Sequence, residues 1–217
     1  MIDWNKINTV FLDMDGTLLD LHFDNYFWLT HLPQRYAEIK GVEPELVNKN
    51  LGLMFDEHHG SLNWYCLDFW TDSLDVDIVA LKREVAGLIG YRPNAKQFLQ
   101  SLNAGGFDVV LVTNAHQSSI DIKFEYTDLS SHLNSVICSH DFDLPKENTR
   151  FWHKLQKAKP FDMSRTVFID DNDSVLASAR RGGLEHLISI AKPDSQKAER
   201  SVSEFPLLND FADIFPK

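Results

Sequence analysis

Short apolar segments recur along the chain, with amphipathic segments between them. Five of them, rich in Val, Ile and Phe, lie at residues 8–13, 107–114, 134–140, 165–171 and 185–190. Their apolar residues follow one another without alternation, which is typical of strands covered on both faces in a parallel sheet. Helical spacing marks the segments 93–106, 117–129, 149–159 and 174–183. This alternation predicts an α/β fold, a Rossmann-like doubly wound parallel sheet.

One interval, residues 14–106, is far longer than a connection between two adjacent strands requires. Its last part supplies the crossover helix, whereas the remainder has helical patterns at 25–41, 43–61, 63–75 and 77–90. A structureless loop of that length would be improbable in a compact domain. We therefore predict an inserted α-helical cap domain at residues 20–90, with the α/β core formed by residues 1–19 and 91–217.

Charge narrows the classes of partner. The 217 residues carry a formal net charge of -11, which argues against a nucleic acid polymer or an anionic membrane as partner. A small phosphorylated metabolite remains compatible, because a local metal ion or lysine can reverse the field at a site. The chain has neither a basic, apolar leader nor an apolar run of about 18 residues, so we expect a cytoplasmic protein that does not enter membranes.

Polar residues are concentrated where the predicted strands end. Ligands of open α/β sheets bind beyond the carboxyl ends of the strands, so these residues are expected to lie close together. Lys146 follows the third strand, and the other ends carry Asp13 and Asp15, Thr113 and Asn114, and Asp170 and Asp171.

Such a group of side chains suits phosphoryl transfer. Converging carboxylates cannot all remain ionised without a cation, and ligands that are all oxygen favour Mg²⁺. One carboxylate can then attack a phosphoryl group, and a second can transfer the proton of the leaving group. The Thr113 hydroxyl, the backbone amides after Asp13 and the Lys146 ammonium would hold the phosphoryl oxygens.

Four motifs occur in order along the chain: "DMDGT" at 13–17, "LVTN" at 111–114, "LPKE" at 144–147 and "FIDDN" at 168–172. With them the sequence resembles the haloacid dehalogenase-like (HAD) superfamily of hydrolases over nearly its whole length. The resemblance implies that Asp13 is the nucleophile and Asp15 the general acid and base. It also implies phosphate binding by Thr113, Lys146, Asn114 and the Gly16 amide. A Mg²⁺ site would be formed by Asp13, the Asp15 backbone carbonyl and Asp171, with Asp170 as an additional ligand or as a residue that supports the ligands.

The lysine motif departs from the usual pattern of the superfamily. The lysine usually precedes a proline, whereas here Pro145 precedes Lys146 and Glu147 follows it. Lys154, Lys157 and Lys159 are therefore alternatives for the phosphate-binding lysine.

Three further segments, "LLDLHFDNYFW", "LNWYCLDFW" and "LVTNAH", are similar to bacterial nucleotidases that hydrolyse GMP and IMP. The resemblance implies a phosphoric monoester hydrolase of the 5′-nucleotidase type that acts on purine nucleoside 5′-monophosphates as a monomer or homodimer. A HAD phosphatase or phosphomutase for a sugar phosphate or another small metabolite is the alternative. A purine base needs a flat apolar surface, so we expect one or two of Phe23, Tyr26 and Trp64 to face the site. His116, just after "VTN", is the histidine expected to contact the substrate.

Overall fold

A computed structural model describes residues 2–216, so the predicted core ends at positions 1 and 217 lie outside the described residues. Within that range six parallel strands form one sheet in the order β3-β2-β1-β4-β5-β6. The strands are β1 (Thr9–Leu12), β2 (Asp108–Thr113), β3 (Ser135–Cys138), β4 (Thr166–Asp170), β5 (His186–Ile190) and β6 (Leu207–Leu208). The five predicted strands are confirmed, each a residue or two shorter at one or both ends. The two-residue β6 was not predicted.

The central position of β1 determines where ligands can bind. Leu12 of β1 pairs with Leu111 of β2 on one side and with Ile169 of β4 on the other. The chain builds the sheet outward from β1 through β2 to β3, then returns to β4 on the opposite side. This reversal leaves a crevice at the carboxyl ends of β1, β2 and β4, the usual binding place in such sheets.

Six α-helices lie within residues 20–90. They are α1 (His22–Tyr26), α2 (Leu32–Lys40), α3 (Pro44–His58), α4 (Leu62–Tyr65), α5 (Leu67–Leu74) and α6 (Ile78–Glu84), with a π-helical turn at Phe27–His31. Individual residues fix the ends of some of these helices. Gly41 ends α2, because it adopts the left-handed conformation with φ 63°. The Asp77 side chain accepts a hydrogen bond from the Ala80 amide and so begins α6.

These helices bury a hydrophobic cluster of their own, which includes Phe27, Leu32, Leu51, Trp70 and Leu81. It is distinct from the two clusters on the faces of the sheet. An independent cluster supports the proposal that residues 20–90 form a cap domain with its own core.

Four helices cover the sheet: α7 (Ala95–Ala104), α8 (Gln117–Tyr126), α9 (Thr149–Ala158) and α10 (Asp173–Arg181). Successive side chains of a strand point to opposite faces. Accordingly, Val10 and Leu12 join the cluster that contains Phe98, whereas Phe11 joins the cluster that contains Trp152. Burial on both faces explains the continuous apolar runs of the strands. Across residues 2–216, no helix has both the length and the apolar character of a membrane span.

Candidate active site at the carboxyl end of the sheet

Asp13 lies directly after the central strand and is buried. Its backbone amide donates to the Ile169 carbonyl at 3.0 Å, so the sheet fixes the main chain at this point. The Lys146 ammonium lies 2.5 Å from Asp13 Oδ1 and 2.7 Å from Asp170 Oδ2, and it also donates to the Val112 carbonyl at 3.0 Å. One lysine thus connects groups from the ends of three neighbouring strands.

Of the four lysines that the sequence left open, Lys146 contacts the carboxylates at the strand ends. Lys154 donates to a main-chain carbonyl, Lys159 donates to a serine hydroxyl, and Lys157 is exposed on α9. The backbone of Lys146 is fixed because its amide donates to Asn114 Oδ1 at 2.9 Å. The departure from the usual lysine motif therefore does not move the lysine away from the carboxylates.

Three carboxylates converge next to this lysine. One oxygen each from Asp13, Asp170 and Asp171 lie within 4.8 Å of one another. Burial raises the pKa of Asp13 to about 6, with Lys146 opposing and Asp170 adding to the shift. Burial, followed by the charges of Asp170 and Asp13, raises the pKa of Asp171 well above its usual range. One ammonium does not compensate three carboxylates, and this oxygen donor set fits a hard divalent cation such as Mg²⁺.

Gly16 allows the Asp171 carboxylate to lie against the first loop. Its φ is +84°, and a Cβ atom at this position would lie 2.6 Å from Asp171 Oδ2. Its amide donates to the Leu19 carbonyl at 2.8 Å, which closes the turn after Asp15. The predicted phosphate contact of the Gly16 amide is therefore corrected: this amide already has a partner, and the glycine provides space.

Asp15 contacts Lys123, one of two buried lysines that the sequence analysis missed. Its Oδ1 lies 2.6 Å from Lys123 Nζ, and Lys123 also contacts Asp24 Oδ2 at 2.8 Å. Asp24 Oδ1 in turn accepts from Lys82 at 2.7 Å. Burial raises the pKa of Asp15 to about 6, although Lys123 opposes the shift. A signal was present in the sequence, since Lys123 lies three residues after Ile120 on the buried stripe of α8.

Thr113 and Asn114 lie at the end of β2, as predicted. The Thr113 hydroxyl accepts from the Ala115 amide at 3.0 Å. The Asn114 carboxamide donates to Glu147 Oε2 at 2.9 Å, and Glu147 Oε1 accepts from the Tyr65 hydroxyl at 2.6 Å. Tyr65 belongs to α4, so Glu147 joins the helices inserted after β1 to the loop that carries Lys146. Neither Tyr65 nor Glu147 was identified from the sequence.

Arg200 is a further residue that the sequence did not indicate. Its guanidinium Nη2 donates to the Asp171 carbonyl at 2.8 Å and to the Ser189 hydroxyl at 3.1 Å. It comes from a polar segment after β5 in which no periodic pattern sets the direction of a side chain. The arginine fixes the main chain of Asp171 and adds positive charge beside the carboxylates.

Two adjoining cavities meet at Asp15. The first, here called the acidic cavity, has a volume of about 490 Å³ and is lined by residues that include Asp13, Asp15, Thr113, Lys146 and Asp171. The second, the aromatic cavity, has a volume of about 280 Å³, and its lining includes Trp28, Phe55, Trp64 and Lys82. Asp15 and Tyr65 line both cavities. A ligand that extends from one cavity into the other would therefore pass close to the Asp15 carboxyl.

Trp64, one of the three aromatic candidates for a substrate contact, lines the aromatic cavity, whereas the structure does not place Phe23, Tyr26 or His116 in either cavity. Phe23 is 1% exposed and packs inside the protein. Tyr26 lines a separate surface depression, on the other side of the short helix α1. His116 turns toward α5, where its Nε2 lies 3.7 Å from Asp68 Oδ2.

Known proteins are similar to this chain in sequence and in fold. The sequence pattern of the haloacid dehalogenase-like hydrolases matches residues 7–183. The GMP/IMP nucleotidases YrfG of Escherichia coli (strain K12) and Shigella flexneri are each 38% identical over 215 residues, which cover 99% of this chain and 97% of theirs. A crystal structure of a HAD phosphatase from Thermococcus onnurineus has a TM-score of 0.78 at 16% identity, with 95% of both chains covered. At that identity the structural likeness shows the fold alone.

Proposed function

The chain belongs to the haloacid dehalogenase-like hydrolase family, and on that premise we propose that it is a Mg²⁺-dependent phosphomonoesterase for purine nucleoside 5′-monophosphates. One observation carries the proposal. Asp15 lies at the junction of a cavity with carboxylates and a lysine and a cavity with aromatic walls. The scissile bond of a nucleotide would lie at this junction, with the phosphate on one side and the nucleoside on the other.

Asp13, Asp171 and the backbone carbonyl of Asp15 are the proposed ligands of the magnesium ion. Asp170 has a supporting role, because its Oδ2 accepts from Lys146 and its Oδ1 from the Asn172 amide at 2.8 Å. When bound, the cation neutralises the carboxylates and the phosphoryl oxygens, so that an anionic nucleophile can approach an anionic ester.

Asp13 is the proposed nucleophile. Its carboxylate oxygen attacks phosphorus, a P–O bond to Asp13 forms, and the bond to the ribose oxygen breaks. Lys146 is buried and its pKa is held above the usual range, because Asp13 and Asp170 outweigh the lowering effect of burial. It therefore stays an ammonium group and, with the Thr113 hydroxyl, provides positive charge and a hydrogen bond for the transferred group.

Asp15 is the proposed general acid and base. It gives a proton to the departing ribose oxygen, and it then takes a proton from the water that releases phosphate from Asp13. A pKa near 6 suits a carboxyl that must act in both directions near neutral pH. Its place between the two cavities gives it access to the leaving oxygen.

The aromatic cavity is the proposed site of the nucleoside. Trp64 and Phe55 pack edge to face with ring centroids 5.6 Å apart, which holds both rings in fixed orientations. Asn25 and Ser119 add polar groups to the same lining. A purine offers a flat apolar face with polar edges, and this lining favours it over the sugar of a sugar phosphate.

The test is phosphate release from purine and pyrimidine nucleoside monophosphates and from sugar phosphates, with Mg²⁺ or with EDTA. We expect the highest kcat/KM for GMP or IMP and loss of turnover in EDTA. Equal rates on all esters would contradict the purine preference. A product with a moved phosphate would instead identify a mutase.

The variant Trp64→Leu tests the nucleoside site. Loss of one stacking surface should raise KM for IMP roughly tenfold, since a stacked base contributes about 1–3 kcal/mol. The rate on 4-nitrophenyl phosphate should change little. Tyr26→Leu is the matched control, because Tyr26 is an aromatic residue of the proposed cap that lies outside both cavities. An equal rise of KM in both variants would contradict the assignment.

A further inference from the structure

Four charged side chains form a continuous row that begins at Asp15. Lys123 contacts Asp15 and Asp24, and Asp24 also accepts from Lys82, with the nitrogen–oxygen distances between 2.6 and 2.8 Å. Both lysine side chains are 1% exposed. We call these four residues the charge row. It contains two cations and two anions, so its net charge is zero when all four are ionised.

The charge row draws on four separate segments. Asp15 follows β1, Lys123 comes from α8, Asp24 from α1 and Lys82 from α6. The far end is enclosed by aromatic faces, since Lys82 Nζ lies 4.6 Å from the ring centroid of Phe27. The row therefore connects the proposed general acid with the helices that form the aromatic cavity.

Stability alone does not account for this arrangement. Removing charged groups from water costs several kcal/mol per ion, and well-packed apolar residues in place of a buried ion pair are often equally or more stable. The position of the row points to function instead. Asp15 lines both cavities, whereas Lys123 lines neither and lies behind it.

The two oxygens of Asp15 have different surroundings. Oδ1 is buried and forms an ion pair with Lys123 Nζ at 2.6 Å that lacks the geometry of a hydrogen bond, although the side chain as a whole is 21% exposed. The accessible part of the carboxyl is therefore on the Oδ2 side. A carboxyl held by one oxygen keeps a single orientation, and proton transfer requires such fixed geometry.

We propose that Lys123 is a positioning residue for Asp15, which holds Oδ1 so that Oδ2 faces the leaving-group oxygen, and that Asp24 keeps Lys123 in place. This inference rests on the proposed function, in which Asp15 protonates the leaving group. Lys123 itself does not touch the substrate. Its effect is thus expected only where the leaving oxygen needs a proton.

A series of aryl phosphates tests this directly. The measurement is the slope of log kcat/KM against the pKa of the phenol that leaves, from 4-nitrophenyl to unsubstituted phenyl phosphate. Lys123→Met should lower kcat/KM for phenyl phosphate by about 10- to 100-fold, a share of the 10²–10⁴-fold typical of general acid catalysis. The loss on 4-nitrophenyl phosphate should be less than about threefold, because nitrophenolate leaves without a proton. The slope therefore becomes steeper.

Asp15→Asn provides the reference for complete loss of the acid and should give the steepest slope. Lys82→Met is the matched control for the slope alone: Lys82 is equally buried and also pairs with Asp24 but does not contact Asp15, and because it lines the aromatic cavity a fall of the absolute rates is expected. Its slope should equal that of the unmodified enzyme, even where its absolute rates fall. Aryl phosphates avoid any dependence on a nucleoside in the aromatic cavity.

Asp24→Asn provides a second route if Lys123→Met does not fold. The carboxamide is nearly isosteric but removes the charge that holds Lys123, so the slope should steepen in the same direction by a smaller amount. An unchanged slope in Lys123→Met, or in Asp24→Asn, would overturn the inference, as would an equal change in Lys82→Met. Failure of the proposed function looks different: the unmodified enzyme would then release no phosphate from nucleotides.

Discussion

Replacing Gly16 by alanine would place a methyl group where the structure has no room for one. The new Cβ would lie 2.6 Å from Asp171 Oδ2 and 3.1 Å from Pro193 Cβ, and the backbone has φ +84°. The substitution therefore adds two separate costs: strain of a left-handed backbone and displacement of the Asp171 carboxylate. Gly41→Ala separates them, because Gly41 has φ +63° but no atom within 4 Å of its Cβ position.

The magnitudes follow from these two contributions. The left-handed conformation should cost each variant about 1–2 kcal/mol of the free energy of unfolding. Overpacking in a tight site should add about 1–3 kcal/mol for Gly16→Ala alone. We therefore expect Gly16→Ala to lose more stability than Gly41→Ala by about the overpacking contribution. The larger consequence should be functional, because the displaced group is a proposed metal ligand.

Two assays check this reasoning. Urea unfolding in EDTA compares the free energies of unfolding of the two variants without metal. A magnesium titration of phosphate release from IMP gives the concentration for half-maximal activity. For Gly16→Ala this concentration should rise by about 10- to 100-fold, as found when the surroundings of metal ligands are altered. For Gly41→Ala it should stay unchanged.

Equal magnesium requirements in both variants would refute the reasoning. The left-handed backbone would then be the whole reason for glycine at position 16, and the Asp171 carboxylate would not depend on the space beside it. Equal losses of stability combined with different magnesium requirements would indicate that Asp171 moves at little energetic cost.

Three further outcomes are expected. Asp13→Asn should lower turnover of IMP by at least about 10³-fold, because the nucleophile is lost. The far-UV circular dichroism spectrum should stay unchanged. Substantial residual activity would exclude Asp13 as nucleophile. Tyr65→Phe removes the 2.6 Å hydrogen bond to Glu147 and should raise KM for IMP about five- to tenfold. This is a part of the roughly 10- to 150-fold that corresponds to the full contribution of a hydrogen bond to a charged group, about 1.5–3 kcal/mol, because the bond orders the site without touching the substrate; an unchanged KM would show that this contact does not order the site. In EDTA the contribution of Asp13 to the free energy of unfolding, taken as the difference between the unmodified protein and Asp13→Asn, should fall as the pH rises from 3.8 to about 6, because burial raises the pKa of Asp13 across that interval. The folded form then holds a proton that the unfolded chain releases, so rising pH reduces this contribution, and Mg²⁺ should oppose the effect in thermal melts; a rise of the difference over the same interval would contradict it.

Much of the fold could be predicted because its signals are local. The central strands are buried on both faces, so their apolar runs are continuous, and the polar residues that end them are conspicuous in the sequence. Asp13, Thr113 and Asp170 were therefore found from the ends of β1, β2 and β4. The strand β6 was not found, because two residues at 207–208 form too short a pattern.

The sequence by itself determined the strands, the helices between them and the residue types at the strand ends. The direction of individual side chains was decided only by tertiary packing. Phe23 and Trp64 are both aromatic residues on short helices, yet one is buried and the other lines a cavity. Lys82 and Lys123 have long charged side chains of a type that usually reaches solvent, but α6 and α8 enclose them around Asp24. The physical reason is that the free energy of burying such a group depends on partners far away in the chain, which no local pattern contains.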